Sequence, residues 1–196
     1  MFERDAIGTI EWGETDLSQE SRWHNGAVRP RSIQQRFIEH LEQGPSIFII
    51  DDDDNGESAD VVAIKETEHT ITVTLWHCKY ASGNAPGNRV KDLYEVCGQA
   101  QKSIKWTWSF ATLVTHLTER ETKHRRGRDT RFIRGTLNKL VALRKASRRK
   151  FVVFEVGIVQ PGLLKAGIEN EHLTILGATN MFLRTITNHS LLIIAS

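Results

Sequence analysis

Between Ser46 and Lys79 the chain sets three short apolar runs between two turn segments, and no other stretch restricts the fold as much. Ser46–Ile50 (SIFII) is apolar without a break, as a strand covered on both faces must be. Asp51–Gly56 (DDDDNG) is built of residues that make tight turns and tolerate left-handed backbone. A second strand opens at Asp60 and runs on through Val61, Val62, Ala63 and Ile64. After a turn near Glu68, a third strand rich in Thr, Val and Trp spans Ile71 to His77. The hairpin of the last two strands brings Asp60 and His77-Cys78-Lys79 to one end of a sheet. Side chains alternate along a strand, so His77 and Lys79 share a face and Cys78 takes the other.

Helices flank this unit. Arg31–Glu42 (RSIQQRFIEHLE) carries Ile33, Phe37, Ile38 and Leu41 at helical spacing and is stopped by Gly44-Pro45. Ser82–Gly87 (SGNAPG) is a loop by composition. Asn88–Trp106 keeps a helical stripe through Val90, Leu93, Tyr94, Cys97 and Ile104, and Phe110–Glu121 predicts another helix. Trp106 and Trp108, between them, are expected as packing residues. Thr130–Ser147 is patterned as a helix with Phe132, Ile133, Leu137, Leu140 and Val141 on one side, leaving Arg131 and Arg134 to solvent or phosphate. Phe151–Val159 predicts a buried strand, Leu173–Ile186 a helix and Leu191–Ala195 a last strand. The order predicts an α/β three-layer sandwich, a central mixed sheet of about five strands flanked by helices. Residues 31–196 are expected as one domain. Residues 1–30 are expected as a leader or linker suited to arriving from a preceding domain, apart from a short strand near Gly8–Trp12.

The chain has 196 residues, room for one domain with a full core. The two cysteines show no metal-type spacing, and with no secretory signal they are expected as reduced thiols of a cytoplasmic protein. No apolar run approaches membrane-spanning length. The net charge of +2 hides a division: residues 1–70 hold 6 Lys/Arg against 16 Asp/Glu, and residues 71–150 hold 18 against 5. Such a division suits a polyanion held beside a group of carboxylates. Lys102, Lys105, Arg120, Arg125, Arg126, Arg128, Arg131 and Arg134 are the candidate phosphate contacts, positioning DNA without reading its sequence.

Four adjacent aspartates repel one another, so a cation, metal or arginine, is expected beside Asp51–Asp54. Asp51-x-Asp53-x-Asn55-Gly56 begins like a calcium-binding EF-hand loop, but Val62 stands where its bidentate Glu belongs and a strand precedes it. The carboxylate of Asp60 beside His77 and Lys79 has the donors that phosphodiester cleavage needs. Carboxylate oxygens suit Mg²⁺ or Mn²⁺, and a lysine offsets charge at the phosphate. The sequence lacks the Gly-rich phosphate loop, the nucleophilic serine elbow and zinc-type Cys/His spacing.

Glu57-x-x-Asp60 followed on the next strand by His77-Cys78-Lys79 resembles the PD-(D/E)XK, or restriction-endonuclease-like, nuclease superfamily. More narrowly, ESAD, HCKYASG, GNRVKDLYEVCGQAQKSIKW and IVQPGL resemble the nuclease-like C-terminal domain of restriction and defence helicases, over roughly residues 30–196. The resemblance implies a DNA endonuclease, with a role in restriction or phage defence and a helicase or ATPase as partner or fused domain. It implies Asp60 as metal ligand with Glu57 and His77, and Lys79 as the catalytic lysine. Gln34 falls where many members carry an acidic metal-site residue, and Gln99 where several place a conserved polar one. His77 departs from the acidic residue expected two positions before the lysine and lowers the negative charge offered to Mg²⁺. Two further readings stand beside this one: a catalytically inactive module that binds DNA or docks a helicase, and a calcium-stabilised interaction domain built on the acidic turn.

Overall fold

The computed structural model describes residues 2–82 and 86–196. Residues 83–85 of the expected loop lie outside it. The elements in order are β1 (Gly8–Thr9), β2 (Trp23–His24), β3 (Ala27–Val28), α1 (Ile33–Glu42), β4 (Phe48–Asp51), β5 (Val61–Glu66), β6 (Thr70–Cys78), α2 (Val90–Lys102), α3 (Phe110–Lys123), β7 (Phe132–Arg134), α4 (Leu137–Ala146), β8 (Phe151–Val159), α5 (Asn170–Thr187) and β9 (Leu192–Ala195). Seven strands form one mixed sheet in the order β1-β9-β8-β6-β5-β4-β7, while β2 and β3 make a separate hairpin. The β4, β5 and β6 pairings are antiparallel, and β6 pairs in parallel with β8 along its whole length.

Strand alternation sorts the apolar side chains into layers. Ile49, Val61, Ala63, Trp76 and Cys78 face α1, packing on Ile33, Phe37 and Ile38. Ile50, Val62, Ile64, Val73 and Leu75 face the other way, against α3 and α4. Val156 and Ile158 of β8 continue that second face and are covered by α2 and α5. The chain is thus the expected α/β sandwich, with helices on both faces of a mixed sheet. Cys78 and Cys97 are both buried and form no disulfide.

The sheet has two strands beyond the expected five, one at each edge: β7, expected as part of a helix, and β1, which falls where a short strand was expected near Gly8–Trp12. Residues 130–147 do not form one helix. Phe132–Arg134 instead pairs antiparallel with β4, and α4 starts only at Leu137, its N-terminus capped by the Thr136 hydroxyl. Gly135 separates the two at φ +88°, where a Cβ would enter the Phe48 ring. A short apolar run fits strand and helix alike, and here the Gly-Thr boundary decides. The other edge comes from the N-terminal segment, where Gly8–Thr9 pairs in parallel with β9 and the Trp12 indole N–H donates to the Ala195 carbonyl. Residues 19 and 20 bond the start of α1: the Ile33 and Gln34 N–H groups donate to the Gln19 and Glu20 carbonyls. These bonds bring Glu20 to the end of the sheet where the hairpin residues gather.

Candidate metal centre and adjoining cleft

The acidic turn is held by arginines. The Arg120 guanidinium pairs with the Asp52 carboxylate and also donates to the carbonyls of Asp52 and Asn55. Arg131, 1% exposed, donates to the Asp51 and Asp53 carbonyls, and Arg128 donates to the Asp53 carbonyl while lying 3.5 Å from the Asp51 carboxylate. Arg22 reaches Asp51 at 3.3 Å, and Arg126 reaches Asp54 at 2.9 Å. The cation expected beside the four aspartates is this set of guanidinium groups. Burial pushes the Asp51 carboxyl above its ordinary range.

This overturns part of the expected phosphate surface. Arg128 and Arg131 are buried and bonded to the turn, so neither presents its guanidinium to solvent. Arg134 donates to the carbonyls of Glu42, the last residue of α1, and of Gly44 and Ser46 beyond it. Arg125 donates to the Glu121 and Asp129 carbonyls. A cationic composition counts charges but does not say which way they point. Lys102 and Lys105 remain, both solvent-exposed and neither paired with a carboxylate among the described residues.

Next to the neutralised aspartates stands a group that is not neutralised. One carboxylate oxygen each from Asp53, Glu57 and Asp60 lies within 4.8 Å of the other two. Asp60 is fixed from both sides: its Oδ2 accepts the Cys78 N–H at 2.7 Å, and its Oδ1 accepts the Gln34 side-chain amide at 3.3 Å. Gln34 is fixed in turn, its Oε1 accepting the Arg22 N–H. Glu57 accepts the Asp54 N–H. Burial, then repulsion from Asp53 and Asp52, raises the Glu57 carboxyl to about 7. Burial, then Glu57 and Asp53, lifts Asp60 well above the carboxylate range. These are signs of crowded like charges without a full counter-charge. Three convergent hard oxygen donors of this kind fit Mg²⁺ or Mn²⁺.

His77 is adjacent to this trio without being part of it. Its Nδ1 lies 3.8 Å from Asp60 Oδ2, and burial depresses its pKa to about 3, so the imidazole is neutral. Asp53 takes the third place that the sequence had given to His77. Lys79 follows the last residue of the same strand, with its ammonium 3.1 Å from Glu95 and 3.4 Å from Glu20. Burial works against its charge, but the two carboxylates prevail and raise its pKa. It is therefore a fixed cation and not a proton acceptor.

One face of α2 closes the site. Glu57, His77, Gln99, Lys102, Lys105 and Trp106 line a cleft of 230 Å³. The Trp106 ring packs on His116 with centroids 4.1 Å apart, whereas Trp108, expected to pack, is 74% exposed. A larger, mostly apolar groove of 650 Å³ between β4, β7 and α4 contains none of these carboxylates. The structure therefore gathers Gln34, Glu57, Asp60, His77 and Lys79 at the hairpin mouth and sets Gln99 in the cleft wall. Asp53, Glu20, Glu95 and Trp106 were not foreseen in these roles. Glu95 had a signal, since it precedes Gln99 by one helical turn.

Among the described residues no helix is long and apolar enough to cross a membrane. No known protein family, curated protein or solved structure matches this chain.

Proposed function

We propose that the protein is a metal-dependent DNA endonuclease of the restriction-endonuclease-like kind, hydrolysing phosphodiester bonds at the mouth of the β5–β6 hairpin. The observation that carries this reading is the trio Asp53, Glu57 and Asp60, convergent and under-neutralised, in the connection from β4 to β5, at the mouth of the hairpin that leads into Lys79. The order of a helix (α1), three antiparallel strands (β4–β6) and a helix (α2), with β8 returning later in the chain parallel to β6, supports it. Asp53, Glu57 and Asp60 would hold Mg²⁺ or Mn²⁺, which when bound polarises a phosphoryl oxygen and lowers the pKa of a water.

The remaining chemistry belongs to the chain. Gln34 and the Cys78 N–H hold the Asp60 carboxylate in one orientation. Lys79 keeps its proton and offers positive charge to the developing phosphorane, for which it must leave Glu95 or Glu20. Neutral His77 donates or accepts one hydrogen bond beside Asp60 and adds no charge. Lys102 and Lys105 hold flanking phosphates.

Plasmid nicking with Mg²⁺ or Mn²⁺ tests this. Asp60→Asn and Lys79→Ala should each lower the rate by about 10²-fold or more. Wild-type rates in both variants would remove the mechanism.

One observation favours a second reading, a nuclease-like module that binds DNA or docks a helicase without cutting. Lys79 is bridged by two carboxylates, neither of which belongs to the trio. Salt-dependent DNA binding with no heat on Mn²⁺ titration would select it.

A further inference from the structure

The cleft contains polar atoms that the protein itself does not satisfy. Both ring nitrogens of His77, the Oε1 of Gln99 and the indole N–H of Trp106 are buried and lack a hydrogen-bond partner among the described residues. Buried polar groups are nearly always bonded, because an unpaired one keeps its full desolvation cost. Here three side chains carry such atoms and all line one cavity.

The sign of these atoms narrows what can fill the space. Trp106 offers only a donor, and neutral His77 offers one donor and one acceptor. Gln99 offers an acceptor in the observed orientation. A phosphate accepts but does not donate, so it leaves the bare His77 nitrogen unmatched and also faces the Glu57 carboxyl. A planar heterocycle with amino and carbonyl groups on one edge matches donors and acceptors together. A volume of 230 Å³ admits one such ring. Lys102 and Lys105 lie at the same cleft, and neither is paired with an acid, as an attached phosphate backbone would require. Two residues beyond Trp106, the exposed Trp108 gives a second base a face to stack on.

We propose that this cleft is a nucleobase pocket, so that the strand entering the site is single-stranded or has one base turned out of its stack. The inference rests on the preceding reading for the identity of the polymer and adds the form in which it is taken. The base edge is read by His77, Gln99 and Trp106, as enzymes that act on extruded bases read theirs.

Fluorescence anisotropy with labelled homopolymeric single strands and a duplex of equal length, in EDTA, tests it without cleavage. Single strands should bind about tenfold tighter than duplex and differ among the four bases. Trp106→Phe and Gln99→Leu should each weaken single-strand binding about tenfold and shrink the difference among bases. Gln99→Leu should leave the urea midpoint near that of wild type, because the Gln99 Oε1 has no partner in the free protein. Trp106→Phe also thins the packing on His116, so it is read by the loss of base selectivity and not by the midpoint. Duplex bound as tightly as single strand would overturn the pocket. So would wild-type affinity in both variants, which would mean a cleft filled with water only. Metal-dependent cleavage with base-blind binding would sink this inference and spare the nuclease. Base-selective binding with no cleavage would do the reverse.

Discussion

Asp52 and Asp60 are both buried aspartates on the same short stretch, yet their surroundings are opposite. Asp52 meets the Arg120 guanidinium, and its Oδ2 also accepts the Ser58 N–H and hydroxyl. Asp60 meets two hydrogen-bond donors, a neutral imidazole and two further carboxylates. The first arrangement is complete and holds a turn. The second is short of positive charge and so has an affinity left over. The run of four aspartates thus divides: Asp51 and Asp52 serve architecture, and Asp53 turns toward Glu57 and Asp60.

The largest effect expected from this contrast is on stability. Arg120→Ala leaves Asp52 buried without its cation and should cost about 3–5 kcal/mol in urea unfolding. A cost below about 1 kcal/mol would mean that the turn does not depend on its arginines. Asp60→Asn and Asp53→Asn should behave oppositely, with little loss or a slight gain in stability as repulsion is relieved. In wild type, Mn²⁺ at a hundred times its Kd should raise unfolding stability by about 2.7 kcal/mol. That rise should vanish in either variant, and its survival in both would place the ion elsewhere.

The pH dependence sharpens the same contrast. The Glu57 carboxyl, at about 7 in the folded chain against an ordinary 4.5, binds its proton more tightly when folded. Its contribution to stability is full below about 4.5 and is lost as pH rises through 7. His77 has the reverse sign, with a folded pKa of about 3 against 6.5, so its contribution is present above 6.5 and is lost as pH falls toward 3. Glu57→Gln should therefore flatten the fall of stability between pH 4.5 and 7, and the fall that remains belongs to the raised carboxyls of Asp60 and Asp51. A cation must displace the Glu57 proton, so Mn²⁺ affinity should fall about tenfold per pH unit below 7. The smallest effect is expected at Arg126→Ala, whose pair with Asp54 lies at the surface and should be worth less than about 1 kcal/mol.

What the sequence made legible follows from the range of each signal. The apolar run Val61–Ile64 and the Thr-, Val- and Trp-rich Ile71–His77 are local signals, and β5 and β6 appear where they place them. The hairpin joining them puts Asp60, His77 and Lys79 at one mouth by geometry alone. The short β7 was not legible, because Phe132 and Ile133 satisfy helical and strand periods equally. Glu20 carried no local sign, since its place beside Lys79 depends on a segment folding back onto α1. The inward aim of Arg128 and Arg131 was hidden as well. Their bonds go to backbone carbonyls, which every residue has and no composition reveals.

Those arginine bonds also bear on when the site comes into being. Asp53, Glu57, Asp60 and His77 belong to the β4–β5–β6 meander and the acidic turn between its first two strands, but the guanidinium contacts close over 68, 75 and 80 residues. Contacts of that span form late, after the ordering cost of the intervening chain has been met. The hairpin can therefore exist before its acidic turn has a shape, and a cation finds no trio to bind until α3 and the loop after it have docked. Cation binding would then report the completed domain and not the hairpin, and its appearance in refolding should lag the β-sheet signal.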